Sequence, residues 1–194
     1  RVATYIRNAC RFTFGLATVT AVGTLVAAPG LLPAIAGPAY VDAVPFLQVL
    51  CLGQIGFALF TIAMNILNAS GRPLLAWSVV FTAVVLAAGA LPLGISAFGV
   101  IGGAWASAAV MWAAAGIGLW RVRRVFGVAL SPPTFFRVLV AGALCAAFTL
   151  VFVPSNLIGG LAALAGVGLA DLAILIALRE LGTEDWALVR RVIG

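Results

Sequence analysis

The sequence predicts an all-α fold, a polytopic membrane helix bundle, and three observations carry that prediction. Of its 194 residues, 64% are hydrophobic and 8% are charged, and the mean hydropathy is +1.24. A soluble domain carries about 25% charged residues, so a bilayer is the solvent this composition suits. The apolar runs are long and continuous. One hydrocarbon crossing takes about 20 such residues in a helix, whereas barrel strands alternate over roughly ten. Finally, the basic residues gather at run ends. Backbone groups find no water in lipid, which leaves helices as the spanning element.

Six spans are predicted, at about 12–36, 44–69, 73–95, 100–120, 134–153 and 157–178. Breakers separate them: Gly37-Pro38, then Gly71-Arg72-Pro73, the stretch 94–99, Ser131-Pro132-Pro133, and Pro154-Ser155-Asn156. Pro29 and Pro33 fall inside the first run and Pro92 inside the third. A proline removes a backbone donor, so bends are expected near the ends of those helices. In "NILNASGRPLLAW", Gly71 suits the left-handed residue that closes a helix, and Pro73 suits the first turn of the next.

Orientation follows from charge. Short cytoplasmic loops collect positive residues. Arg1, Arg7 and Arg11 precede the first span, and Arg72 follows the second. Arg121, Arg123, Arg124 and Arg137 lie between the fourth and fifth, while Arg179, Arg190 and Arg191 follow the sixth. With six spans, all 11 basic residues share one side, and the other side holds Asp42 alone. Both ends of residues 1–194 are therefore expected in the cytoplasm. The chain starts without a methionine and reads as a fragment of a longer protein. Residues 179–194 form a cytoplasmic tail. Thr183 is a candidate N-cap, Glu184 and Asp185 suit the helix dipole, and Arg190 and Arg191 suit lipid headgroups. An interfacial helix and a solvated tail both remain open there.

No catalytic constellation is visible. There is no histidine, no carboxylate pair within a span and no phosphate loop, since the glycines around Gly99 lack the strand-then-helix context and the lysine that one needs. Cys10, Cys51 and Cys145 sit in or beside apolar runs with no metal or disulfide spacing. The chain is therefore read as a non-enzyme, with no cofactor, no metal and no catalytic residue. The net charge of +6 forms no basic face, so nucleic acid is not an expected partner.

The informative polar residues lie in the second span. Gln54, Thr61 and Asn68 recur every seven residues, and Asn65 follows Thr61 by four. That spacing puts all four on one helix face. Polar groups facing lipid are costly. The stripe therefore either hydrogen-bonds a neighbouring helix or lines a cavity. Asp171 is the only carboxylate inside a predicted span. It is a candidate for ion coupling, or else a structural group reaching toward the interface near Arg179. Gly99, Gly102 and Gly103 open the fourth span, and Gly159, Gly160, Gly166 and Gly168 mark the sixth, as sites of close helix approach. Trp77, Trp120 and Trp186 suit an interfacial aromatic belt. Trp105 and Trp112 share one face, for packing or for lipid.

Several features, taken in order, resemble the polysaccharide-exporting flippases. These are the Wzx-type O-antigen transporters of the multidrug/oligosaccharidyl-lipid/polysaccharide (MOP) superfamily. The carriers are "AGPAYVDAVPFLQVLCL" with its G-x-x-Y, then "NASGRP", then the outer turn "LPLGISAFGVIGGAWASA", and the acidic-then-basic tail "LGTEDWALVRRVIG". The likeness covers about 12–125 and the tail, and is compositional over 134–178. The resemblance implies two lobes around a central cavity, in a protein of twelve or fourteen spans. This chain would supply most of the C-terminal lobe, as four of its helices plus two accessory ones. It also implies alternating access, a polyprenyl-diphosphate-linked oligosaccharide as substrate, and a bacterial or archaeal cell membrane as the location. The implied partners are membrane lipids, the N-terminal lobe and the polysaccharide polymerase and export machinery. Flippases of this kind place basic residues in the cavity. No arginine here lies mid-membrane, so such charge comes from the missing part or from Arg7 and Arg11 at the cytoplasmic mouth. A drug/cation antiporter of the same superfamily and a non-transporting scaffold of a polysaccharide-synthesis complex are the alternatives.

Overall fold

A computed structural model describes residues 2–147 and the helix 157–177, the latter with side chains up to Ala170 and at Ala173. Among these residues every regular element is helical: α1 (Val2–Ala36), a 3-10 turn (Pro38–Ala43), α2 (Val44–Ala69), α3 (Pro73–Phe126), α4 (Pro132–Ala147) and α5 (Leu157–Ala177). Three stretches, Val2–Ala36, Pro38–Ala69 and Pro73–Phe126, are long and apolar enough to cross a membrane.

Helix α1 starts about ten residues before the predicted span. The reason is a row of inward-facing residues, Ile6, Cys10, Phe14 and Thr18, that continues the helical repeat past the bilayer-length run. Ile6 and Cys10 pack with Ala63, Met64, Leu67, Ala76, Val79 and Val122. Phe14 packs with Cys51, Ile55 and Leu59. Rising positions in α1 thus meet falling positions in α2, and the two helices are antiparallel. Pro29 and Pro33 both lie inside α1. Its end comes only at Gly37, where φ is 103° and the N–H donates to the Pro33 carbonyl over 2.9 Å.

The α2–α3 turn has the form its sequence predicts. Gly71 is left-handed, with φ of 72°. The Arg72 N–H donates to the Leu67 carbonyl over 3.1 Å, and the Arg72 carbonyl accepts the N–H groups of Leu75 and Ala76 as the next helix begins. Pro73 starts α3, where the lack of an N–H costs nothing.

Helix α3 has 54 residues, roughly 80 Å at the α-helical rise against a hydrocarbon core of about 30 Å. It is not one rod. Gly99 has φ of 66° and ψ of −154°, a combination open essentially to glycine alone. There the chain reverses. A Cβ on Gly94 would stand 2.5 Å from the Gly102 carbonyl oxygen, and one on Gly103 would stand 2.9 Å from Ile95 Cγ1. At the far end, Gly118 faces Val79. Residues 73–98 and 100–126 are therefore antiparallel limbs of a tight hairpin. The break expected across 94–99 narrows to Gly99, because Pro92 and Gly94 remain helical.

Small residues set the remaining contacts. A Cβ on Gly53 would lie 2.9 Å from Ala108 Cα, and one on Gly56 would lie 2.9 Å from the Trp112 nitrogen. These two glycines let α2 touch the backbone of the second α3 limb. Gly160 meets Leu31, and Gly23 meets Leu164, so α5 runs antiparallel to α1. Gly142 meets Thr18 and brings α4 onto α1. The sequence marks Gly159, Gly160, Gly166 and Gly168 alike, yet no Cβ contact lies within 4 Å of Gly166.

Six of the described arginines gather at one end of the bundle. Arg7 and Arg11 adjoin Ile6 and Cys10, Arg72 caps α3, and Arg121, Arg123 and Arg124 surround Val122. All these neighbours belong to one apolar cluster, completed by Val125, Phe126, Val128 and Leu130. Asp42 lies at the opposite end, in the 3-10 turn.

Candidate functional site

Helix α2 is buried on most of its circumference. Val49, Cys51, Gly53, Ile55, Gly56, Leu59, Ala63, Met64 and Leu67 all point inward. Between residues 50 and 68 the exposed positions are Leu50, Leu52, Gln54, Phe57, Thr61, Asn65 and Asn68. All but Leu52 fall on one face at helical spacing. The free face of this helix is thus the predicted polar stripe, joined by Leu50 and Phe57.

The stripe's hydrogen-bonding groups are available. Thr61 Oγ1 donates to the Phe57 carbonyl of its own helix over 2.9 Å. Among the described residues, none of Gln54, Thr61, Asn65 and Asn68 hydrogen-bonds another helix. Of the two sequence readings, interhelical bonding is therefore not what the described residues use the stripe for. One cavity of about 530 Å³ is lined by Gly94, Phe98, Ile101, Gly102, Trp105, Ala106 and Ala109. Another of about 330 Å³ is lined by Leu52, Ile55, Trp105, Ala108, Ala109, Trp112 and Leu139. Both are apolar furrows along the second α3 limb and do not include the stripe.

Because α1 and α2 are antiparallel, Arg7 and Arg11 come to the same end of the bundle as Asn65 and Asn68. Arg7 is exposed and Arg11 is half-buried. The Arg11 guanidinium carbon lies 5.0 Å above the Phe12 ring. The basic pair and the asparagine end of the stripe are thus placed at one level. Asp171 lies in α5, but its side chain is outside the described residues. So is the whole predicted tail with Thr183, Glu184 and Asp185.

Two interhelical polar contacts escape the sequence reading. Gln48 Nε2 donates to the Leu25 carbonyl across the α1–α2 interface over 3.2 Å. Trp112 Nε1 donates to the Leu52 carbonyl over 3.0 Å. Each donor meets a backbone carbonyl of a neighbouring helix. A second glutamine in the same apolar run as Gln54 was the available signal for the first. Trp112 also stands edge-on to Phe135 at 6.3 Å, and Phe135 stacks on Phe14 at 5.4 Å. Trp112 is therefore a packing residue, whereas Trp105 is 56% exposed.

Cys10, Cys51 and Cys145 are free and buried. Among the described residues no three His, Cys, Asp or Glu side chains are grouped as a metal would need. Comparison with known proteins finds no matching family model, no matching curated protein and no matching solved structure.

Proposed function

We propose that this chain is part of a membrane transporter, a flippase that carries polyprenyl-diphosphate-linked oligosaccharide from the cytoplasmic to the outer leaflet. The observation that carries the reading is the outward-facing stripe of Gln54, Thr61, Asn65 and Asn68 on an otherwise apolar helix. Such a face is costly against hydrocarbon. It fits a water-filled path between this helical unit and a second lobe. The side chains in it are uncharged amides and a hydroxyl, each able to donate and accept, which suits sugar hydroxyls. Arg7 and Arg11 stand at the same end and suit a diphosphate entering from the cytoplasm.

In this reading the two limbs of α3 cross separately, giving six crossings with α1, α2, α4 and α5. The arginine-bearing end is cytoplasmic, in a bacterial or archaeal cell membrane. The sugar moves past α2 as one lobe rocks against the other. The ordered likeness to polysaccharide flippases around Tyr40, Gly71-Arg72 and Gly99 supports the same substrate class.

Deleting the full gene in its host tests this. Lipid-linked sugar is expected to accumulate in the cytoplasmic leaflet while surface glycan falls. Normal glycan export in a strain without a redundant transporter overturns the proposal.

A further inference from the structure

The arginine-bearing end of the α3 hairpin holds a second feature that the transport reading does not use. Trp120 is 48% exposed and Trp77 is 69% exposed, one on each limb near the same end. The Arg124 guanidinium carbon lies 4.3 Å above the Trp120 ring, and that of Arg121 lies 5.5 Å from it. Arg123, in the same turn, and Arg72, at the start of the facing limb, are exposed. Gly127 closes the helix in the left-handed form, with its N–H on the Arg123 carbonyl over 2.8 Å.

We propose that this cluster, Arg121, Arg123 and Arg124 around Trp120 with Arg72 and Trp77 on the facing limb, binds the phosphate headgroup of an anionic phospholipid. Charge complementarity identifies the occupant. Four arginines share this end of the hairpin, and the one acidic side chain among the described residues, Asp42, is at the other end of the bundle. Indole rings favour the headgroup level, where one edge is wet and the ring is apolar. The cation–π contact with Trp120 positions the Arg124 guanidinium, and a guanidinium fork matches phosphate oxygens. The exposed apolar face of the first limb, with Leu74, Phe81, Val84 and Val85, gives the acyl chains a continuous surface to lie along. The proposal needs membrane location only and is independent of the transported substrate.

Native mass spectrometry of the whole protein, stripped of lipid in detergent, tests it with phosphatidylglycerol against phosphatidylcholine. The unaltered protein is expected to retain phosphatidylglycerol selectively. Arg121→Gln with Arg124→Gln is expected to cut that preference about tenfold, since each arginine near an anionic surface adds binding. Arg137→Gln removes an exposed charge on another helix, α4, and is expected to leave the preference within about twofold, the range of a weak peripheral contribution. Trp120→Leu, an exposed substitution that threatens folding less, is expected to lower it several-fold. An unchanged preference in the Arg121/Arg124 pair, or an equal loss on Arg137→Gln, overturns the proposal. So does a large rise in phosphatidylglycerol retention when Glu180, Glu184 and Asp185 are neutralised, because the chain's own acidic residues would then be the occupant.

Discussion

Replacing Gly102 or Gly56 by leucine is expected to cost about 3 kcal/mol or more each, the upper range for forcing side chains into a filled core. The two positions fail for the same reason at different interfaces. At Gly102 a Cβ would overlap the Gly94 carbonyl oxygen and lie 2.8 Å from Phe98 Cβ, so the limbs of the α3 hairpin would separate. At Gly56 it would meet the Trp112 nitrogen at 2.9 Å and the Met111 carbonyl carbon at 3.0 Å. Those obstacles are backbone atoms, which cannot rotate away. Gly116 is the contrast. It sits in the same helix with nothing within 4 Å of a Cβ, so Gly116→Ala is expected to be neutral or to stabilise by up to about 1 kcal/mol through helix propensity. Thermal unfolding of the purified protein in detergent measures all three. Equal losses at Gly56, Gly102 and Gly116 would contradict the packing described.

Substituting Gln54, Thr61, Asn65 and Asn68 together by alanine is expected to abolish most glycan export while leaving insertion and thermal stability near normal. Stability is spared because these side chains make no interhelical bonds among the described residues, and Thr61 bonds only its own helix. Export falls because the path loses its hydrogen-bonding partners. Two lost bonds of about 1 kcal/mol each correspond to about 30-fold in binding. Surface glycan at matched protein level in the membrane is the measurement. A quadruple variant that exports normally would remove the stripe from the mechanism, and one that fails to fold would make it structural.

Much of this arrangement is legible in the residues because turn chemistry and helical period are local. "NASGRP" specifies its own geometry, as only glycine adopts the backbone of residue 71 cheaply and proline fits the start of α3. The seven-residue repeat of Gln54, Thr61 and Asn68 places them on one face. Which environment that face meets depends on neighbours that no local pattern encodes. The same limit explains α1. Its ten extra residues are held by Ile6 and Cys10 against α2 and α3, a tertiary contact invisible to a bilayer-length window. Among the breakers across 94–99, Gly99 wins over Pro92 and Gly94. Proline at 92 still has a helical φ, whereas closing the hairpin requires a backbone that only glycine reaches. Gln48 and Trp112 look like ordinary members of apolar runs, and their acceptors, the Leu25 and Leu52 carbonyls, belong to other helices.

The most direct test of the proposal that α2 presents its stripe to water is cysteine accessibility in native membranes. Cys10, Cys51 and Cys145 are replaced by alanine in the full-length protein. Single cysteines are then placed at Gln54 and Asn65 on the stripe, and at Phe81 and Leu93 on the exposed apolar face of α3. A small water-soluble maleimide is expected to label the two stripe positions quickly and the two α3 positions hardly at all. Stripe cysteines as unreactive as those at Phe81 and Leu93 would place the polar face against lipid or packed protein and contradict the proposed transport path.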